Sequence, residues 1–108
     1  MNEDLIKCVF QRPGQISVIM HINDNYFHIR DLIGGVPAMH HIPEIGLEMI
    51  FVDNDRFLPR NIRLSDDIII GGAVMIVKEN CKGKLVSLTI EEVYAARGWL
   101  LKHTYEER

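Results

Sequence analysis

The spacing of apolar residues changes period along this chain, and each change marks an element. "LIKCVF", residues 5–10, is apolar with one polar interruption and reads as a strand. Pro13-Gly14 marks a turn. "ISVIMHI", residues 16–22, alternates imperfectly and is rich in branched side chains, so it pairs back as the second strand of a hairpin. The period then becomes helical. In "INDNYFHIRDLIGG", Tyr26, Ile29 and Ile33 share one helical face, with Leu32 beside them. Asn23 is the expected N-cap, with Ile22 and Phe27 at the spacing of a hydrophobic staple. Gly34 supplies a left-handed C-cap residue, and Pro37 prevents continuation.

Beyond that helix, "MHHI" and "LEMIFVD" read as strands, and "DNDR" as a turn. "LPRNIRLSDD" reads as a loop. It leads into "IIIGGAVMIVK", which is apolar almost throughout and predicts one central strand. After the turn "ENCKGK" comes a short strand, "LVSL". The last segment predicts a helix over about 89–106. Thr89 and Glu92 have capping-box spacing. Ile90, Val93, Ala96, Leu100 and Leu101 trace its apolar stripe, and Gly98 costs it about 1 kcal/mol relative to alanine. Strands outnumber helices and do not alternate with them. The class is therefore α+β: a mostly antiparallel sheet of about five to six strands with two helices, in a single small domain over 1–108.

At 108 residues and 47 % apolar, the chain fits one folded core. A net charge of −3 argues against broad, sequence-blind nucleic-acid binding, which needs a basic surface, but leaves room for a local anion site. Cys8 and Cys81 are far apart in the sequence and read as free thiols. The first ten residues lack the basic-then-apolar pattern of a signal peptide, and the longest apolar run, around 68–77, falls short of the about 20 residues that span a bilayer. These features predict a soluble protein of the cytoplasm, away from membranes.

Candidate chemistry is sparse. His40 and His41 are neighbours on a strand and point to opposite faces; His21, His28 and His103 have no matched spacing, so no metal site is expected. Asp66 and Asp67 read as solvated carboxylates. Ser17, Ser65 and Ser87 lie in no nucleophile elbow. Neither Gly-Gly pair opens a helix as a phosphate loop does; Gly71-Gly72 predicts a bulge or a close approach of another backbone or a ligand. What stands out is the stretch around Arg60, Asn61 and Arg63. Two planar guanidinium forks and an amide follow Pro59, and Arg56 is a third charge across the preceding turn. Together with Gly71 and Gly72 they form a candidate anion site. The competing reading pairs the arginines with Asp53, Asp55, Asp66 and Asp67 on a solvated surface. Trp99 falls off the apolar stripe of the last helix. With Tyr105 it predicts an oligomer interface there.

"DLIGGV", "FVDNDRFLPRN", "DIIIGGAVMIVK" and "VSLTIEEV", in that order, resemble a family of small phage and plasmid proteins catalogued as domain of unknown function 3846. The resemblance covers roughly residues 15–95. Two family positions differ: Ala38 and Met39 stand where an acidic residue is expected, and Ile62 stands where an arginine is. The resemblance carries no activity. It implies a setting in which small accessory proteins act against host defence.

The leading expectation is a non-enzymatic, cofactor-free binding protein of the host cytoplasm that sequesters a small anionic, nucleotide-derived immune signal and forms a homo-oligomer. The alternative is a protein–protein inhibitor of a defence nuclease or effector, an anti-CRISPR for example, with an exposed apolar or acidic face. A small regulatory nucleic-acid-associated protein is a third.

Overall fold

The structure is a computed structural model and describes residues 5–54 and 57–106. In chain order its elements are β1 (Ile6–Gln11), β2 (Val18–Ile22), α1 (Tyr26–Ile33), β3 (Pro37–Ile42), β4 (Leu47–Val52), β5 (Arg60–Arg63), β6 (Ile69–Gly71), β7 (Val74–Glu79), β8 (Leu85–Val86) and α2 (Ile90–His103). The class is α+β. The main sheet is antiparallel throughout, in the order β2-β1-β7-β4-β3, and β8 pairs with the end of β7 beyond β1. β5 and β6 form a separate two-stranded sheet.

Strand alternation sends successive side chains to opposite sides, and each side has its own core. Cys8, Phe10, Ile50, Met75 and Val77 pack with Ile29 and Ile33 of α1. Val9, Met49, Val74 and Ile76 pack with Val93, Ala96, Trp99 and Leu100 of α2. The sheet is thus the middle of three layers, buried on both faces along β1, β4 and β7. Burial among apolar neighbours pushes the Cys8 thiol up to about 12, while Cys81 is exposed in the β7–β8 turn; both are free.

Both helix ends expected from glycine and threonine are present. Gly34 is left-handed (φ 86°), and its N–H donates to the Arg30 carbonyl. Thr89 Oγ1 accepts from the Glu92 N–H, and the Glu92 carboxylate accepts from the Thr89 N–H at 2.8 Å. That backbone donor, with Lys78 Nζ at 3.1 Å, holds the Glu92 carboxyl below its ordinary pKa. Its stabilisation is in place at neutral pH and is lost as pH falls through the lowered value.

Three expectations about the helices are corrected. The N-cap of α1 is Asn25, whose Oδ1 accepts from the N–H groups of Phe27 and His28; Phe27 is exposed, so no staple forms with Ile22. The helix starts late because Asp24 is engaged elsewhere, its carboxylate accepting from the Leu85 N–H. α2 ends at His103, short of 106. Its buried face is Val93, Ala96, Trp99 and Leu100, whereas Ile90 and Leu101 of the expected stripe are exposed. Trp99 therefore belongs to the core and is no outer-face contact. Its Nε1–H donates to Glu44 Oε2 at 2.8 Å, from the turn joining β3 to β4.

The region around residues 57–72 is also reorganised. "RNIR" is a strand: β5 pairs with β6 in a hairpin that closes between Leu64 and Ile68. The expected single strand "IIIGGAVMIVK" is two strands, with Gly72 at φ 79° between them. β7 alone is central to the main sheet. A side chain at Gly72 would put Cβ 2.8 Å from Leu58 Cδ1, so the space beside this glycine is already filled.

Candidate functional site

The β5–β6 hairpin sits over the end of α2. In a regular strand Arg60 and Arg63, three apart, would point to opposite faces. The pairing with β6 shifts register between Arg60 and Ile62, which sets Asn61 in a bulge. One added residue reverses the alternation and returns both arginines to one side. Both then reach Tyr105. The Arg60 guanidinium carbon lies 5.4 Å from the Tyr105 ring centre and that of Arg63 lies 5.2 Å away. Arg60 Nη1 also donates to the Tyr105 hydroxyl at 2.8 Å. Tyr105 itself is fixed by its N–H, which donates to the Asn61 carbonyl at 2.8 Å, and by the bridge of Thr104 to Ile62.

The competing reading of these arginines does not hold for the described aspartates. The ion pairs among the described residues are His41 with Glu48 and Lys78 with Glu92. Asp53, Asp66 and Asp67 do not neutralise Arg60 or Arg63 at ion-pair distance, and Asp55 lies outside the described residues. The arginines are held by an aromatic ring, which orients a guanidinium without cancelling its charge.

Next to Arg63 is an open hollow of about 330 Å³, walled by Ser65 and Asp66 on one side and by Lys102, His103 and Thr104 on the other. His103 Nδ1 is 3.2 Å from the Arg63 carbonyl. A carbonyl only accepts, so Nδ1 carries a proton and donates. The imidazole stacks on Trp99 with ring centres 4.3 Å apart.

Asn61 is corrected from a ligand donor to a buried structural amide. Its Nδ2 donates to the carbonyls of Gln11 and Gly72, both at 2.9 Å, and its Oδ1 accepts from Gln11 Nε2 at 3.0 Å. Gln11 Nε2 also donates to Thr104 Oγ1. This network joins β1, the bulge of β5, the pivot before β7 and the end of α2, and every buried side-chain polar atom in it is satisfied. Gly72 is likewise committed, to Asn61 through its carbonyl and to Leu58 by contact. Gly71 pairs with Arg60 at the open end of the hairpin. Arg56 lies outside the described residues. Of the six sequence candidates, Arg60 and Arg63 converge on a surface. Tyr105, expected at an oligomer interface, is the platform that orients them.

His103, Gln11 and Thr104 were not foreseen. A glutamine ending the apolar run "KCVFQ" is the one available signal, since a polar residue closing a buried strand needs a partner. Among the described residues no three His, Cys, Asp or Glu side chains cluster as metal ligands, and no helix is long and apolar enough to cross a membrane. No family model, curated protein or solved structure matches this chain.

Proposed function

We propose that this protein is a non-enzymatic binding protein that holds an anionic, nucleotide-type ligand at the junction of β5 with the end of α2. The observation that supports this is the pair of guanidinium groups set on the Tyr105 ring without carboxylate partners among the described residues. Arg60 and Arg63 would take a phosphate through charge-assisted hydrogen bonds, and the hollow beside His103 offers room for what the phosphate carries. In the setting that the family resemblance implies, such a protein sequesters a nucleotide-derived signal of host defence.

The test is calorimetric titration with adenosine monophosphate and with linear and cyclic dinucleotides. Wild type binds at least one of them. Each of Arg60→Ala and Arg63→Ala weakens that binding by about 1.5–3 kcal/mol, the range for hydrogen bonds to a charged group. Arg→Lys restores little, because lysine lacks the planar fork. Unchanged affinity in a folded Arg60→Ala/Arg63→Ala double variant, or no binding to any of these probes, overturns the reading.

A second reading, direct inhibition of a host defence protein, draws on the other side of the sheet. There a cleft of about 300 Å³ has an apolar floor including Ile29, Met39 and Leu85, and carboxylates at its rim from Asp24 and Glu79. An acidic rim around an apolar floor suits a basic, amphipathic partner. If this cleft is the functional surface, Met39→Asp abolishes capture of a defence nuclease and Arg60→Ala/Arg63→Ala leaves it intact. The opposite pattern assigns function to the arginine pair.

A further inference from the structure

α2 carries two apolar faces, and the sheet uses one of them. Val93, Ala96, Trp99 and Leu100 are buried. Ile90, Tyr94 and Leu101, spaced four and seven apart, form a second stripe on the solvent side, and they are 62, 71 and 77 % exposed. A groove of about 620 Å³ runs beside this stripe, walled on its other side by the β1–β2 turn at Ile16 and Ser17. The turn is fixed in place: Arg97 Nε donates to Ser17 Oγ and its Nη2 donates to the Ser17 carbonyl. Gly98 forms part of the groove, and a Cβ built there meets nothing within 4 Å.

Charge identifies what covers this face. Glu91 and Lys102 are eleven residues apart, close to three full turns, so they lie on the same side of α2 at opposite ends, next to the stripe. A second α2 laid antiparallel, with a two-fold axis near the middle of the helix, sets Glu91 of each copy against Lys102 of the other. The same register places Ile90 against Leu101, and Tyr94 against the open groove at Gly98. One axis satisfies all three pairings, each occurring twice, as an isologous interface requires. A heterologous partner has no reason to match this symmetry.

We propose that the outer face of α2 is a homodimer interface, formed by antiparallel α2 helices about a two-fold axis, with Tyr94 of each copy seated in the other's groove. Lys102 also walls the hollow beside Arg63, but the inference does not rest on the proposed function, and no ligand is needed to test it.

The experiment is sedimentation velocity on the full chain at micromolar concentration, with circular dichroism melts as a folding control. Wild type sediments as a dimer. Tyr94→Asp and Leu101→Asp sediment as monomers while keeping the wild-type spectrum. Glu91→Lys and Lys102→Glu each weaken self-association about tenfold, because each reversal appears twice in the dimer. Mixing these two single variants restores wild-type association, since the heterodimer again pairs opposite charges at both ends. A monomeric wild type overturns the proposal. So does a dimer indifferent to Tyr94→Asp and Leu101→Asp, which would use another face. A mixture that associates no better than either variant alone overturns the antiparallel register, and with it the argument that a second copy, and not a different protein, covers this face.

Discussion

Ile33-Gly34-Gly35 and Ile70-Gly71-Gly72 are the same three letters set in apolar surroundings, and the fold asks different things of them. The first pair divides its duties. Gly34 supplies a left-handed backbone at the end of α1, in open space. Gly35 supplies room: a Cβ there would lie 2.7 Å from Val52 Cγ1. In the second pair both duties fall on Gly72, at φ 79° and with Leu58 Cδ1 2.8 Å from a built Cβ. The first pair is a stop, after which the chain starts a new strand. The second is a pivot that turns the chain out of the β5–β6 hairpin and into the centre of the main sheet, and Asn61 grips it by the Gly72 carbonyl. A glycine pair is therefore read by what surrounds it in space.

The contrast can be broken by measurement. Asn61→Leu has the largest expected effect, about 3 kcal/mol in urea unfolding, because it strands the buried Gln11 and Gly72 carbonyls together. A loss below 1 kcal/mol would mean that the pivot stands without its grip.

Gly72→Ala comes next, at about 2–3 kcal/mol, combining a left-handed alanine with crowding against Leu58. A double-mutant cycle with Leu58→Ala separates the two: the crowding part is recovered and the backbone part persists. Full recovery would make Gly72 a glycine of space, like Gly35.

The smallest effect is at Gly34→Ala, about 1 kcal/mol and purely conformational. It shows no coupling to any neighbour, whereas Gly35→Ala couples to Val52→Ala. Coupling at Gly34 would erase the distinction within the first pair.

The legible parts of the fold were those with local causes. The Gly34 cap and the Thr89–Glu92 box act within one helical turn, and spacing alone locates them. Spacing alone does not locate the cap of α1, because Asn23 and Asn25 are equally able acceptors and the choice falls to the distant bond between Asp24 and Leu85. A single-stripe helical wheel leaves Trp99 out and so assigns it to the surface. It is buried because α2 is covered on a second flank, where Glu44 meets its indole. Hairpin β5–β6 was hidden for a related reason: "RNIR" has little strand character, and its order comes from packing Ile62 and Ile70 under α2. The arginines of the candidate site were visible. Their convergence was not, because it depends on a one-residue register shift that composition does not record.

β1 lies between β2 and β7, yet its two neighbours are made at very different times. β2 follows β1 almost at once, whereas β7 is finished roughly seventy residues later, and at a synthesis rate of about 5–20 residues per second that is a delay of several seconds. Through that interval the edge of β1 that β7 will occupy is unpaired, and Val9 waits for α2 on one face while α1 alone is at hand for Cys8 and Phe10 on the other. The newborn chain therefore carries apolar β1 surface before the strand that completes it has been made. Stalling translation between β4 and β7 would hold it there, in reach of chaperones and of other nascent chains.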